Sequence, residues 1–262
     1  MSIIEEFLVS ISGGNLLVMG LLGGGIITLL NAVGAIPVFF LKKLNQTLND
    51  VTLGFAAGVM LAASFTSLII PSIEIAGISP VIIGVLAGAL AISMADRLLP
   101  HMHRIIGVEG SHKSRLRAIW LFVIAITLHN MPEGLSVGIG FGSGNISKAV
   151  ILMMAIGLQN MPEGLSVAFS LLGETHGEKR LKAFLISVLS GVIEIPLCIL
   201  GVLFAGLAMI VPYAMGFAAG AMIFVISDEI IPETHRLGHE RVSSYGLITG
   251  LLIMLVMDVL LG

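Results

Sequence analysis

The nine residues HNMPEGLSV at positions 129–137 recur at positions 159–167 as QNMPEGLSV, so the two copies differ only in their first residue. Each copy lies within an apolar stretch that is long enough to cross a bilayer. An ionisable side chain inside a membrane helix is costly, so Glu133 and Glu163 indicate a functional site by default. Two copies of this polar set predict a metal-cation site in the middle of the membrane.

The composition is that of a membrane protein. Of the 262 residues, 56% are hydrophobic and only 11% are charged, whereas soluble domains carry about 25% charged residues. The apolar residues form continuous runs, unlike the short alternating segments of an outer-membrane barrel. The single cysteine, Cys198, excludes an internal disulfide and a cysteine-based zinc cluster. We therefore expect an all-α polytopic membrane protein.

Eight stretches are long enough to span the membrane, which takes about 20 predominantly apolar residues. They lie at about 15–40, 51–73, 78–100, 117–142, 148–173, 181–209, 213–235 and 243–262. The connections are short apart from residues 101–116, and no stretch has the composition of a soluble domain. The chain is therefore predicted to form one transmembrane domain over residues 1–262.

The basic residues predict the orientation of these spans. Twelve of the 13 lysines and arginines fall in or beside the loops that follow the first, third, fifth and seventh spans, and only Lys148 lies on the other side. Loops rich in lysine and arginine face the cytoplasm. We therefore expect a multi-pass protein of the cell (inner) membrane with both termini on the extracytoplasmic side.

The fourth and fifth predicted spans run in opposite directions but carry the same motif near mid-depth. Matching sequences on antiparallel helices indicate an inverted repeat, with a pseudo-two-fold axis in the membrane plane. Transporters place substrate sites at the interfaces of such repeats, near the bilayer midplane.

The spacing within each copy places metal ligands on one helix face. His129 and Glu133 are one turn apart, and Gln159 and Glu163 repeat the arrangement. The asparagine after the first residue of each copy points about 100° away and faces a neighbouring region. A divalent ion can bridge the histidine and the glutamate of one turn.

Six acidic residues fall inside the predicted spans without a lysine or arginine at comparable depth. They are Glu133, Glu163, Glu194, Asp228, Glu229 and Asp258. A charged side chain in mid-bilayer costs on the order of 3 kcal/mol on insertion scales, and a path for cations explains the full set. For the last three residues, the alternative is a hydrated position near an interface.

The mixture of donors narrows the choice of ion. One imidazole with carboxylates and amides suits Zn²⁺, Fe²⁺, Mn²⁺ or Co²⁺, whereas Mg²⁺ and Ca²⁺ prefer oxygen alone. Met60 offers a thioether, although methionine in an apolar helix is more often packing. The histidines of the 101–116 loop and of the cytoplasmic end of the seventh span form either a metal-capturing segment or a solvated surface: His101, His103, His112, His235 and His239.

The paired motifs, the eight spans, the outward termini and the long loop after the third span resemble a ZIP-family (Zrt-, Irt-like) metal transporter of the bacterial branch. The resemblance covers nearly the whole chain, and it implies a mid-membrane centre for two metal ions. The first site would use His129, Glu133, Gln159 and Glu163, with Met60 as a further candidate. The second site would use Asn130, Asn160, Glu194 and a bridging Glu163.

The same resemblance implies a 3+2+3 arrangement, in which spans 1, 4, 5 and 6 form a transport unit that slides against spans 2, 3, 7 and 8. It implies uptake into the cytoplasm, with Zn²⁺ as the favoured substrate and Cd²⁺ as a further candidate. The chain departs from the common family pattern at Gln159, where many members have histidine, and at Asn160, where some have aspartate. Residues that would flank the entry or exit path are Ser67, Asp228, Glu229 and Asp258.

Two other functions compete with transport. An intramembrane zinc hydrolase would need three protein ligands and an open water position, yet His129 is the only histidine deep in a span and the His-Glu-x-x-His motif is missing. A metal sensor or receptor would need an output domain. We therefore expect a transporter and not an enzyme. Its expected partners are divalent metal ions and the lipid bilayer, and no nucleic acid is expected. A homodimer is one candidate for its oligomeric state.

Overall fold

The computed structural model describes residues 3–41, 44–98, 127, 129–173, 180–207, 209–235 and 238–261. Within these ranges the chain forms helices and turns only. We number the helices α1 (Ile3–Ser12), α2 (Leu16–Phe39), α3 (Gln46–Ala76), α4 (Ile78–Leu98), α5 (129–142), α6 (Ile146–Gly173), α7 (Arg180–Ala205), α8 (Val211–His235) and α9 (Glu240–Leu261).

The predicted spans correspond to α2 through α9. Seven of these helices, α2–α4 and α6–α9, are long and apolar enough to cross a membrane. Helix α5 provides the second half of the predicted span 117–142, whose residues 117–126 lie outside the described part of the chain. The expectation of an all-α polytopic membrane protein is confirmed. Helix α1, which precedes the first span, is additional to the prediction.

Asparagine side chains begin the first two spanning helices. Asn15 Oδ1 accepts hydrogen bonds from the backbone N–H groups of Leu17 and Val18, at 2.9 and 3.3 Å. Asn45 Oδ1 accepts one from Leu48 N–H at 3.3 Å. These caps satisfy amide groups that the first turn of a helix leaves without a partner.

The helices pack as two groups of four. The site unit consists of α2, α5, α6 and α7, and the frame unit consists of α3, α4, α8 and α9. Helix α3 pairs with α9 and α4 with α8, while α2 packs on α6 and α7. Helix α5 joins the site unit through Gly138, which lies against the backbone of Cys198 in α7. The units meet chiefly where α6 packs on α3, and they are the two groups that the family resemblance implies.

Glycines allow both helix pairs of the frame unit to pack backbone against backbone. A side chain on Gly58 of α3 would overlap the carbonyl group of Leu247 in α9, and one on Gly220 of α8 would overlap that of Val85 in α4. Small residues permit this close approach between membrane helices. The glycines at the contact of α3 with α9 correspond one by one to those at the contact of α8 with α4, and corresponding residues are 162 positions apart. The pairs are Gly54 and Gly216, Gly58 and Gly220, Gly84 and Gly246, and Gly88 and Gly250.

The same spacing relates two π-helical segments. Ser64–Ile69 in α3 and Ile226–Ile230 in α8 begin 162 positions apart. The first segment is one residue longer, so the isoleucine and proline that follow each segment are 161 positions apart. The α3–α4 and α8–α9 pairs are therefore the two halves of a repeat. The repeat predicted from the α5 and α6 motifs thus extends through the frame unit.

We expect Gly88→Ala to destabilise the protein more than Gly25→Ala. A methyl group at Gly88 would overlap the carbonyl oxygen of Phe217, whereas nothing lies within 4 Å of the equivalent position at Gly25. The overlap is relieved only by separating two backbones, which we expect to cost about 2 kcal/mol, as in overpacked cores. The midpoint of thermal unfolding in detergent measures the difference. Equal midpoints would show that the close contact of α4 with α8 does not contribute to stability.

Candidate metal centre

The metal ligands predicted from the sequence lie inside the helix bundle. None is more than 5% exposed: Met60, His129, Asn130, Glu133, Gln159, Asn160, Glu163 and Glu194. Met60 belongs to the frame unit and the others to the site unit. Glu133, Glu163 and Glu194 lie close enough to interact electrostatically. The structure therefore brings both motif copies and Glu194 into one buried polar cluster.

Glycines directly after the motif glutamates let this cluster form. A Cβ atom on Gly134 would lie 2.6 Å from the carbonyl oxygen of Glu194, and one on Gly164 would overlap the carbonyl of Asn31. Because Gly134 and Gly164 are equivalent in the repeat, α5 approaches α7 as α6 approaches α2. Asn31 is thereby the counterpart of Glu194.

Helix α7 is continuous from Arg180 to Ala205, as the predicted span over 181–209 requires, but it is locally irregular at Ile193, just before Glu194. Ile193 keeps helical backbone angles. Proline cannot donate an amide hydrogen bond to the preceding turn, so Pro196 disturbs this turn of the helix. Carbonyl groups that lose a helical partner inside the membrane need other donors.

Side chains of neighbouring helices donate to carbonyl groups just before this irregular turn. Asn130 Nδ2 donates to the carbonyl oxygen of Ser190 at 2.9 Å. The Thr28 hydroxyl lies 3.0 Å from the carbonyl oxygen of Gly191. This part of α7 is therefore held by α5 on one side and by α2 on the other.

The residues of the predicted first site combine hydrogen bonds with unsatisfied oxygen atoms. Gln159 Nε2 donates to Glu133 Oε1 at 2.6 Å, and His129 Nε2 lies 2.8 Å from Glu229 Oε2 of α8. Glu133 Oε2, Gln159 Oε1 and Glu163 Oε1 have no hydrogen-bond partner within the described part of the chain. Buried oxygen atoms without a donor are costly. A divalent transition metal suits such oxygens beside an imidazole.

These side chains are not arranged around a common point. Among the described residues, no three histidine, cysteine, aspartate or glutamate side chains are placed as ligands of one ion. His129 is turned toward Glu229 and Glu133 toward Gln159. Metal binding by His129 and Glu133 therefore requires these contacts to open.

The predicted second site is built around Glu194. Asn160 Nδ2 donates to Glu194 Oε1 at 2.5 Å, and the Thr28 hydroxyl lies 3.1 Å from Glu194 Oε2. The amide oxygens of Asn130 and Asn160 have no partner among the described residues. This cluster thus contains one carboxylate with donors at both oxygens and two free amide oxygens.

The predicted path residues differ in exposure. Glu229 is only 7% exposed and contacts His129, so a hydrated position at an interface does not describe it. Ser67 is buried in the π-helical segment of α3, whereas Asp228 is exposed and Asp258 is half-buried. Of the four, Glu229 is the residue that the structure brings into contact with a predicted metal ligand.

Two residues of α2 that the motif spacing does not indicate also contribute to the centre. Thr28 contacts Glu194, and Asn31 Nδ2 donates to the carbonyl oxygen of Ser187 at 2.9 Å. Both are uncharged polar residues within an apolar span, and that signal identifies interhelical hydrogen bonds. Met60 packs in the main apolar core, as is usual for methionine.

The other described histidines lie at helix ends. His239 Nδ1 is 2.7 Å from Asp50 Oδ2, and its Nε2 is 3.2 Å from Thr47 Oγ1, so it joins α3 to the turn before α9. His235 is half-buried at the end of α8. The predicted loop histidines lie outside the described residues: His101, His103 and His112.

Comparisons with known proteins point to one family. A family model described as "ZIP Zinc transporter" matches residues 107–258, which include both motif copies and Glu194. The zinc transporter ZIPB of Bordetella bronchiseptica is 40% identical over 254 residues, covering 92% of this chain and 81% of that protein. The zinc transporter GufA of Myxococcus xanthus is 35% identical, covering 92% and 100%. The zinc transporter ZupT of Streptococcus mutans is 35% identical, covering 86% and 90%.

We expect His129→Ala to weaken zinc binding much more than Gln159→Ala. The first change removes an imidazole nitrogen, which is a good ligand for Zn²⁺. The second removes a neutral amide and releases Glu133 Oε1 from its hydrogen bond, so a carboxylate oxygen becomes available to the ion. Titration calorimetry should give a loss of at least about tenfold for His129→Ala and less than about threefold for Gln159→Ala. Equal losses would show that the two positions contribute alike.

Proposed function

Because the chain belongs to the ZIP family of metal transporters, we propose that it carries Zn²⁺ across the cell (inner) membrane into the cytoplasm. The observation that carries the proposal is the set of buried oxygen atoms of Glu133, Gln159 and Glu163 that have no hydrogen-bond donor among the described residues. These oxygen atoms favour a cation, because the sequence offers no lysine or arginine at comparable depth in the spans. ZIP proteins are transporters, so the chain is not an enzyme.

The donor set supports zinc as the transported ion. One imidazole beside carboxylate and amide oxygens favours a transition metal over Mg²⁺ or Ca²⁺. The relatives compared above are named zinc transporters. Fe²⁺, Mn²⁺, Co²⁺ and Cd²⁺ would use the same donors. The proposed ligands of the transported ion are His129, Glu133, Gln159 and Glu163, with Met60 as a further candidate.

Delivery of the ion requires the site unit to move against the frame unit. The units meet where α6 packs on α3 and where His129 reaches Glu229. The frame helices are held by direct backbone contacts at glycines, which suits them to remain fixed. With both termini extracytoplasmic, as the basic residues predict, the route to the cytoplasm would be flanked by Ser67, Asp228, Glu229 and Asp258.

Glu163→Gln should abolish zinc flux. The change preserves the size of the side chain but removes a buried negative charge that the ion requires. Flux is measured in proteoliposomes that contain a zinc-sensitive dye. Glu6→Gln is the matched control, because Glu6 is exposed on α1 and this variant should transport at the rate of the unmodified protein. Unchanged flux in Glu163→Gln would refute the proposed function.

The repeat predicts a second contact between the two units. Counted from the start of the two π-helical segments, Ser67 is the counterpart of Glu229, and Gln159 is the counterpart of His129. The contact equivalent to that of His129 with Glu229 is therefore one of Gln159 with Ser67. Here Gln159 donates to Glu133 instead. Since inverted repeats allow a transporter to open to either side, we expect the Gln159–Ser67 contact to form in the opposite state.

Paired cysteines test this exchange in a Cys198→Ala background, which leaves no native cysteine. Under mild oxidation in membranes, we expect one disulfide from His129→Cys with Glu229→Cys and another from Ser67→Cys with Gln159→Cys. Each single-cysteine variant serves as a control for links between chains. A disulfide in the first pair alone would show that the predicted exchange does not occur.

A further inference from the structure

The carboxylate of Glu194 differs from those of Glu133 and Glu163 in the donors it receives. Its Oε1 accepts a hydrogen bond from Asn160 Nδ2 at 2.5 Å. Its Oε2 lies 3.1 Å from the Thr28 hydroxyl, which is also within reach of the Gly191 carbonyl oxygen. Both donors are buried, with Asn160 1% and Thr28 7% exposed. By contrast, Glu133 and Glu163 each have one oxygen without a donor among the described residues.

The Asn160 amide presents its nitrogen to Glu194, with Nδ2 2.5 Å from Oε1. An ionised carboxylate oxygen accepts a hydrogen bond of this kind. Charge-assisted hydrogen bonds of this kind are about twice as strong as neutral ones. An ion bound by Glu194 would therefore have to displace the Asn160 amide from Oε1 or share that carboxylate oxygen with it.

Of the two motif asparagines, only Asn160 donates to a carboxylate of the described residues. Asn130, the counterpart of Asn160, donates to the carbonyl oxygen of Ser190. Asn31, the counterpart of Glu194, is uncharged. The Asn160–Glu194 hydrogen bond is thus a particular feature of the second cluster, and it links α6 to α7 without an ion.

We propose that this chain loads a single zinc ion in each transport cycle, and that the Asn160 amide takes the place of a second cation beside Glu194. The inference rests on the proposed zinc transport. The ion binds at the first site, where Glu133 Oε2, Gln159 Oε1 and Glu163 Oε1 lack a hydrogen-bond donor among the described residues. An aspartate at position 160 would bring a second carboxylate to Glu194, and two carboxylates so close repel unless a cation or a shared proton lies between them. Asparagine provides the hydrogen bond without the charge, so residue 160 determines the number of ions.

Zinc stoichiometry of the purified full-length protein tests the proposal. The loop residues His101, His103 and His112 are changed to alanine in every sample, so that surface binding does not add to the count. Titration calorimetry and elemental analysis after dialysis should give about one zinc ion per chain for the protein with Asn160 and about two for Asn160→Asp. Glu194→Gln should retain about one ion, with an affinity within about threefold.

Asn15→Asp is the control for the added charge, because Asn15 is the exposed cap of α2 and takes no part in the polar centre. We expect this variant to bind about one ion. Two ions bound by the protein with Asn160 would overturn the single-ion proposal and leave zinc transport in place, even if Asn160→Asp does not fold. A second ion gained equally by Asn15→Asp would overturn the role of Asn160. No zinc bound by the unmodified chain would refute the proposed function itself.

Discussion

Buried carboxylates without a basic partner are the constraint on which the rest of this structure depends. Glu133, Glu163 and Glu194 lie inside the site unit, where a low dielectric makes every uncompensated charge expensive. Amide and hydroxyl donors meet part of that cost, and the remaining oxygens need a cation. The donors reach the carboxylates only because Gly134 and Gly164 let the helices approach closely. The close packing of the helices and the affinity for a cation thus both follow from the need to stabilise these buried carboxylates.

The inverted repeat provides the scaffold of the centre, and the differences between its halves provide the chemistry. In one half an imidazole reaches a carboxylate of the frame unit, and in the other an amide donates a hydrogen bond to a carboxylate of the site unit. A symmetric centre would present the same ligands to both sides of the membrane. Under the proposed movement of the site unit, the two halves would present different side chains to an ion. The positions that differ are His129 and Gln159, Asn31 and Glu194, and Ser67 and Glu229.

The features predicted from the sequence are those with a local signal. The nine-residue motif marks the polar centre, and the apolar runs define the spans, while the orientation indicated by the alternating basic loops stays a prediction. The irregular turn of α7 at Ile193 was not predictable, because Pro196 within a long apolar run indicates a kink without showing which turn it disturbs. The repeat of the frame unit was hidden as well. Glycine is common in membrane helices, and only the backbone contacts of residues such as Gly58 and Gly220 reveal the spacing.

The partners of each side chain could not be predicted, because they depend on which of several polar neighbours it contacts. Helical spacing places His129 and Glu133 on one face, yet they turn to Glu229 and Gln159 of other helices. These contacts divide the centre into a cluster whose hydrogen bonds must open to accept an ion and a cluster whose carboxylate, Glu194, already has donors at both oxygens. An ion bound by His129 would break a contact between the two units. The hydrogen bond of Asn160 to Glu194 in α7 would persist. Metal binding would therefore weaken the contact between the site unit and the frame unit but leave the packing within the site unit unchanged.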